Sequence, residues 1–267
     1  MWCYRGPHAL TIALSYEGVP KRGVFMPVKG QLLNYVNGKW QPPSTTEYLN
    51  VTNPATGELI AEVPLSTKAD VEEAVQAAAK AFPAWRRTPA VDRVQHLFKL
   101  KHLLDKHFEE LAVLITEDCG KTLAESRGEL RRAVENVEVA CGIPTMMQGY
   151  NSEDVSHGID EFMIRQPLGV VAAVTPFNFP AMIPFWFMPY AIACGNTLIL
   201  KPSEKDPSCA IKLAELFSEA GLPDGVINFL PGSGSKVGNP VLTDSNLAGV
   251  HFTGSTQTFQ HIWKTIG

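Results

Sequence analysis

The chain has 267 residues, 45% hydrophobic and 19% charged, with a formal net charge of −4. That length suits one large core or two smaller domains, and the lack of a positive field argues against nucleic acid and anionic membranes, leaving small molecules as partners. Five cysteines, Cys3, Cys119, Cys141, Cys194 and Cys209, form no CxxC pair and no zinc-ligand spacing, which fits a reducing compartment without a metal site.

Residues 1–29 read as an atypical leader, basic before the first acid at Glu17 and with a short apolar piece from Ala9 to Leu14. It is open to two readings, an unstructured or mis-started leader and a mitochondrial presequence. From Tyr35 to Ala61 the turn chemistry of Asn37-Gly38 and Pro54-Ala55-Thr56-Gly57 predicts short paired strands. Ser66 or Thr67 then caps a helix with Val71, Ala74, Val75, Ala78 and Phe82 on one face, and Pro83 is expected to stop it. A second helix opens after Pro89 with Val94, Leu97, Phe98, Lys101 and Leu104 on its face, continues through Phe108, Leu111 and Ile115, and ends at Cys119-Gly120. A third carries Leu130, Val134, Val137 and Cys141 before Pro144. These three predict a helical layer, and His96, His102 and His107 read as part of its solvated face.

After Ile143 strands and helices alternate. Phe162 to Arg165 reads as a short strand, and the next 35 residues, 166–200, contain no Asp, Glu, Lys, Arg or His. Pro167, Pro176, Pro180, Pro184 and Pro189 argue against a membrane helix there. The run reads instead as a buried strand (Val170 to Val174), a Pro/Asn turn, a buried helix and a second buried strand (Thr197 to Leu200). A helix from Pro207 to Ala220 and strands at Val226 to Leu230 and Ala248 to Thr253 complete a parallel α/β pattern. The expected organisation is strands and helical layer over 30–145 and a Rossmann-like sheet over 146–267.

Four segments follow strands, where a doubly wound sheet binds its ligands. In the first, Thr175-Pro176-Phe177-Asn178, the Asn178 amide can cap a helix or point its N–H at a developing oxyanion. In the second, Lys201-Pro202-Ser203-Glu204, Lys201 must pair or meet a ligand and Glu204 can accept from ribose hydroxyls. The third, Pro231-Gly232-Ser233-Gly234, is a turn before a helix, and the fourth, Phe252-Thr253-Gly254-Ser255, puts a glycine and hydroxyls at a helix start, where phosphate binds.

The series PFNFP, GNTLILKPSE, GLPDGVIN, PGSG and FTGS, spanning Leu33 to Ser255, resembles the NAD(P)-dependent aldehyde dehydrogenases. Pro176 to Pro189 and Lys201 to Pro207 are similar to the methylmalonate-semialdehyde branch, which forms propionyl-CoA from aldehyde, NAD and coenzyme A. His251 to Lys264 is closer to the glutamate-semialdehyde (pyrroline-5-carboxylate) dehydrogenases, and Phe259 stands where many members carry glycine. The resemblance implies an aldehyde dehydrogenase-like α/β fold with NAD as cofactor, an aldehyde as small-molecule partner with either coenzyme A or water as acyl acceptor, homo-oligomers, and a cytoplasmic or mitochondrial-matrix location. It implies that Asn178 is the oxyanion donor, that Lys201 and Glu204 hold the adenosine ribose, and that Ser255 contacts the pyrophosphate. Gly232 and Gly234 would shape the adenine side, and Pro176 and Phe177 the path to the nicotinamide. Thr175, Ser203, Phe252 and Gly254 complete the expected cofactor-binding set.

No cysteine here has the context of the family's nucleophile, so the sequence reads as a piece of the enzyme truncated before the catalytic domain. The alternative is a nucleotide-binding or interaction remnant without turnover.

Overall fold

The computed structural model describes residues 30–267; the expectations for the leader lie outside the described residues. The chain opens with β1 (Gly30–Gln31), β2 (Asn34–Val36), β3 (Lys39–Gln41), β4 (Tyr48–Thr52) and β5 (Leu59–Pro64). The β2–β3 hairpin turns on Asn37 and Gly38, with φ of 51° and 76°, as the Asn-Gly pair predicts. A Cβ on Gly38 would also collide with Asp224, so only glycine fits there.

Helices α1 (Lys68–Trp85), α2 (Ala90–Lys106), α3 (Phe108–Cys119), α4 (Leu123–Ala140) and α5 (Ile143–Met146) follow. Thr67, not Ser66, caps α1, in a reciprocal capping box with Asp70. Ser66 instead donates to Asn34 Oδ1 at 2.8 Å. Contrary to expectation, α1 runs two residues past Pro83, because the buried Trp85 donates its indole N–H to the Ile192 carbonyl and so pins the last turn. The expected second helix is two, breaking at His107, and its buried face is Val94, Leu97, Leu100, Leu103 and Leu104, with Phe98 in solvent. Gly120, left-handed at φ 74°, ends α3 as predicted.

The remaining elements are β6 (Tyr150–Ser156), β7 (Ile159–Met163), β8 (Val170–Val174), α6 (Met182–Phe185), α7 (Met188–Ala193), β9 (Thr197–Lys201), α8 (Ser208–Glu219), β10 (Ile227–Phe229), a π-helical turn over Gly234–Gly238, α9 (Asn239–Leu242), β11 (Leu247–Phe252) and α10 (Thr256–Ile266). The strand expected at Phe162 to Arg165 corrects to an exposed antiparallel hairpin, β6–β7, apart from the main sheet. The single buried helix expected between β8 and β9 is two short ones, split near Phe187 between Pro184 and Pro189.

The main sheet has the order β11-β8-β9-β10-β2-β3. Its first four strands are parallel, and β2 joins β10 antiparallel. From β8 the chain moves one way through β9 and β10, then returns to lay β11 on the other side. That reversal is a topological switch point between β8 and β11. Asn196 secures the start of this sheet, its Oδ1 accepting from the Leu168 and Gly169 amides and its Nδ2 donating to the Ala191 carbonyl. Phe185, Phe217 and Phe229 lie in the core between sheet and helices, with the rings of Phe185 and Phe217 stacked at 6.0 Å. No helix among the described residues is long and apolar enough to cross a membrane.

Candidate functional site

The carboxyl ends of the parallel strands are level. Lys201 pairs with Val174 across β9–β8, and Val174 with Phe252 across β8–β11. The ladder continues one residue further, with the Thr175 amide donating to the Lys201 carbonyl at 3.1 Å and the Thr253 amide to the Val174 carbonyl at 3.3 Å. The four segments singled out from sequence therefore leave the sheet along one rim, at strand spacings of about 5 Å. The switch point lies between the Thr175 and Ser255 segments.

Lys201 is buried at the end of β9, its Nζ 3.0 Å from Glu204 Oε2. Burying an ammonium demands a partner, and Glu204, more exposed, supplies it while leaving an edge toward solvent. Ser203 is buried, with its hydroxyl accepting from the Lys205 amide, so it shapes this loop. Ser255 caps α10, its Oγ accepting from the Thr258 amide at 3.2 Å. The first-turn amides of α10 lie at the tip of β11, and such amides with the helix dipole favour an anionic group. At Gly254 a Cβ would meet the half-buried Phe252 ring at 2.5 Å, so a larger residue there would have to displace that ring. Gly232, at φ 142°, is packed against Val237 and the Ser66 amide, whereas Gly234 has open space where a side chain would be.

Thr175 is buried and Pro176 half-buried, while Phe177 and Asn178 are exposed. Asn178 caps no helix, since Ala181 holds the N-cap position of α6, and its side chain makes no hydrogen bond to any described residue. What holds this loop is a group that sequence reasoning missed. Glu129 of α4, fully buried, accepts the Ala181 and Met182 amides at 2.9 and 3.2 Å through Oε1, while Oε2 pairs with Lys121 at 2.5 Å. Lys121 in turn lies 3.9 Å over the Phe179 ring. The available signal was a carboxylate on the apolar stripe of α4, beside Leu130 and one turn from Ala133. Arg93 was missed likewise; it is buried in α2 and donates to the Ala193 and Thr88 carbonyls. Burial lowers its pKa from the usual guanidinium value.

The surroundings of the described cysteines favour the thiol over the thiolate. Burial, the largest cause in each case, pushes the thiols of Cys119, Cys141, Cys194 and Cys209 above their ordinary range. Among the described residues, no three His, Cys, Asp or Glu side chains are placed to hold a metal ion.

The model of the aldehyde dehydrogenase family matches residues 40–267. The chain belongs to the aldehyde dehydrogenase family. It is 48% identical over 233 residues to malonate-semialdehyde dehydrogenase 1 of Geobacillus kaustophilus (strain HTA426), covering 87% of this chain and 48% of the relative. Among solved structures, methylmalonate-semialdehyde dehydrogenase (DddC) from Oceanimonas doudoroffii is 44% identical at a TM-score of 0.86, over 89% of this chain and 48% of that one. A protein from Sinorhizobium meliloti 1021, solved in complex with NAD, is 39% identical at a TM-score of 0.86, over 90% and 49%. The expected family, fold and likeness to the methylmalonate-semialdehyde branch are borne out. This aldehyde dehydrogenase chain spans about half the length of the curated relatives it matches.

Proposed function

We propose that this chain carries the dinucleotide-binding half of an NAD-dependent oxidoreductase acting on a small semialdehyde of the malonate or methylmalonate type, with coenzyme A as acyl acceptor. The observation that carries this reading is the level rim at the β8/β11 switch point, with a buried cation, a carboxylate and a helix start along it. The donor set suits a dinucleotide. Lys201 and Glu204 supply one donor and one acceptor for vicinal ribose hydroxyls, and the α10 amides with Ser255 supply donors for a pyrophosphate. In this reading Gly232 and Gly234 border the adenine, Thr175, Pro176 and Phe177 line the way to the nicotinamide, and Ser203, Phe252 and Gly254 shape the loops that hold these groups. NAD, when bound, supplies the hydride acceptor.

Asn178 acts as the oxyanion donor. Its amide is unengaged and exposed on a loop held from below, so its N–H can meet a developing negative charge without breaking an existing bond. The four described thiols, protonated at neutral pH, favour a second element of the reading, that this chain alone binds dinucleotide without oxidising aldehyde.

Calorimetric titration of NAD into the 267-residue chain tests the assignment. Lys201→Met removes a buried charged hydrogen-bond donor and is expected to weaken binding about ten- to hundredfold. Unchanged affinity in a folded variant contradicts the assignment. NADH formation by the wild-type chain on malonate semialdehyde contradicts the absence of turnover.

A further inference from the structure

The loop bearing Asn178 is held on both sides of that residue. Lys205 lies 4.6 Å over the Phe177 ring, Lys121 lies over Phe179, and the Cys119 thiol is 2.9 Å from the Phe177 carbonyl. The same sulfur is 3.1 Å from Asp206 Oδ2. A thiol carries one proton and cannot donate to both oxygens at once. Both contacts are hydrogen bonds only when Asp206 brings its own proton, donating O–H to Sγ while S–H donates to the Phe177 carbonyl. Asp206 is 2% exposed, and its Oδ1 is buried with no hydrogen-bond partner, an environment that suits the neutral acid.

We infer that Asp206 and Cys119 form a proton-dependent latch that positions the Asn178 loop: neutral Asp206 lets the thiol hold the Phe177 carbonyl, and ionised Asp206 draws the thiol away and frees it. The inference rests on the reading of Asn178 as oxyanion donor and makes Cys119 and Asp206 positioning residues. Because Asp206 closes the segment that begins with Lys201 and Glu204, the latch ties the ribose loop after β9 to the Asn178 loop after β8.

The surroundings favour the neutral acid near neutral pH. Burial first, and then the nearby Asp118 and Glu129, raise the Asp206 carboxyl to about 8 against the partial opposition of its hydrogen-bonding neighbours. Asp118, itself raised to about 6 by burial, is engaged by the Ser208 amide and hydroxyl. The groups facing the latch are Asp118 from α3, Lys121 from the α3–α4 turn, Glu129 from α4, Cys209 from α8 and Ser203 from Asp206's own loop. Lys121, the cation among them, is held by Glu129. A raised carboxyl in the folded state contributes stability that is full below the ordinary value of 3.8 and is lost as pH rises through about 8. The loop therefore loosens on the alkaline side.

Hydrogen exchange of the full chain, read by mass spectrometry on peptides covering residues 175–181 and corrected for intrinsic rates, tests the latch at pH about 6.5 and about 9.5. Wild-type protection is expected to fall severalfold at the higher pH. Asp206→Asn, whose amide donates to sulfur at either pH, keeps the loop protected at both; Cys119→Ala leaves it unprotected at both; Cys119→Ser restores the pH dependence. Melting curves confirm that each variant is folded. Equal wild-type protection at both pH values, a persisting alkaline loss in Asp206→Asn, or full protection in a folded Cys119→Ala overturns the proposal. No arm contains dinucleotide or aldehyde, so failure here leaves the binding reading to its own titration.

Discussion

Glu129→Ala lowers the stability of the chain by about 3–5 kcal/mol, because a fully buried carboxylate that holds two amides and the partly exposed Lys121 is removed. Two amides at the start of α6 lose their acceptor and Lys121 loses its partner. For a domain of this size the midpoint of thermal unfolding drops on the order of 10 °C. Glu129→Gln retains an oxygen for Ala181 and Met182 and loses only the charge toward Lys121, so it falls between the alanine variant and the wild type. Differential scanning calorimetry of the three proteins checks the order. A Glu129→Ala protein that melts with the wild type would show that Glu129 does not support the Asn178 loop.

Glu204→Gln shifts cofactor preference toward NADP. A ribose 2′-phosphate placed near Glu204 meets its negative charge, and at an effective dielectric of ~20 two charges some 4 Å apart repel by about 4 kcal/mol before salt screening. Removing that charge leaves Lys201 free to face the phosphate. Allowing for screening at this partly exposed position, the ratio of NAD to NADP affinity is expected to fall roughly ten- to hundredfold. Parallel titrations of both nucleotides into wild type and variant measure it. A ratio that does not move places the ribose away from Glu204.

The parts of the fold that were legible are those where periodicity and turn chemistry act alone. Uninterrupted aliphatic runs gave β8 and β9, and Asn37-Gly38 gave the first hairpin, because a strand covered on both faces and a positive-φ turn leave few alternatives. The misreadings occur where tertiary contacts outweigh local propensity. Pro83 fails to end α1 because the Trp85 indole is anchored on α7, more than a hundred residues away. Phe98 fits a helical stripe yet faces solvent, since the side of α2 that meets α4 and α8 is centred on Leu97, Leu100 and Leu104.

At the rim, sequence order was enough to choose Thr175 to Asn178, Lys201 to Glu204 and Phe252 to Ser255, because the ends of parallel strands converge whatever lies between them. The support beneath was not legible. Glu129, Arg93 and the Cys119–Asp206 contact act through partners 52, 100 and 87 residues distant, and a charged side chain within a helical pattern reads as a solvated face until its neighbours are known.

A crystal structure of this chain grown with saturating NAD locates the cofactor directly. The adenosine ribose is expected between Lys201 and Glu204 and the pyrophosphate over the first turn of α10 beside Ser255, across the gap between β8 and β11. Dinucleotide bound at any other surface, or crystals that exclude it at saturating concentration, would show that the strand-end rim is not the NAD site.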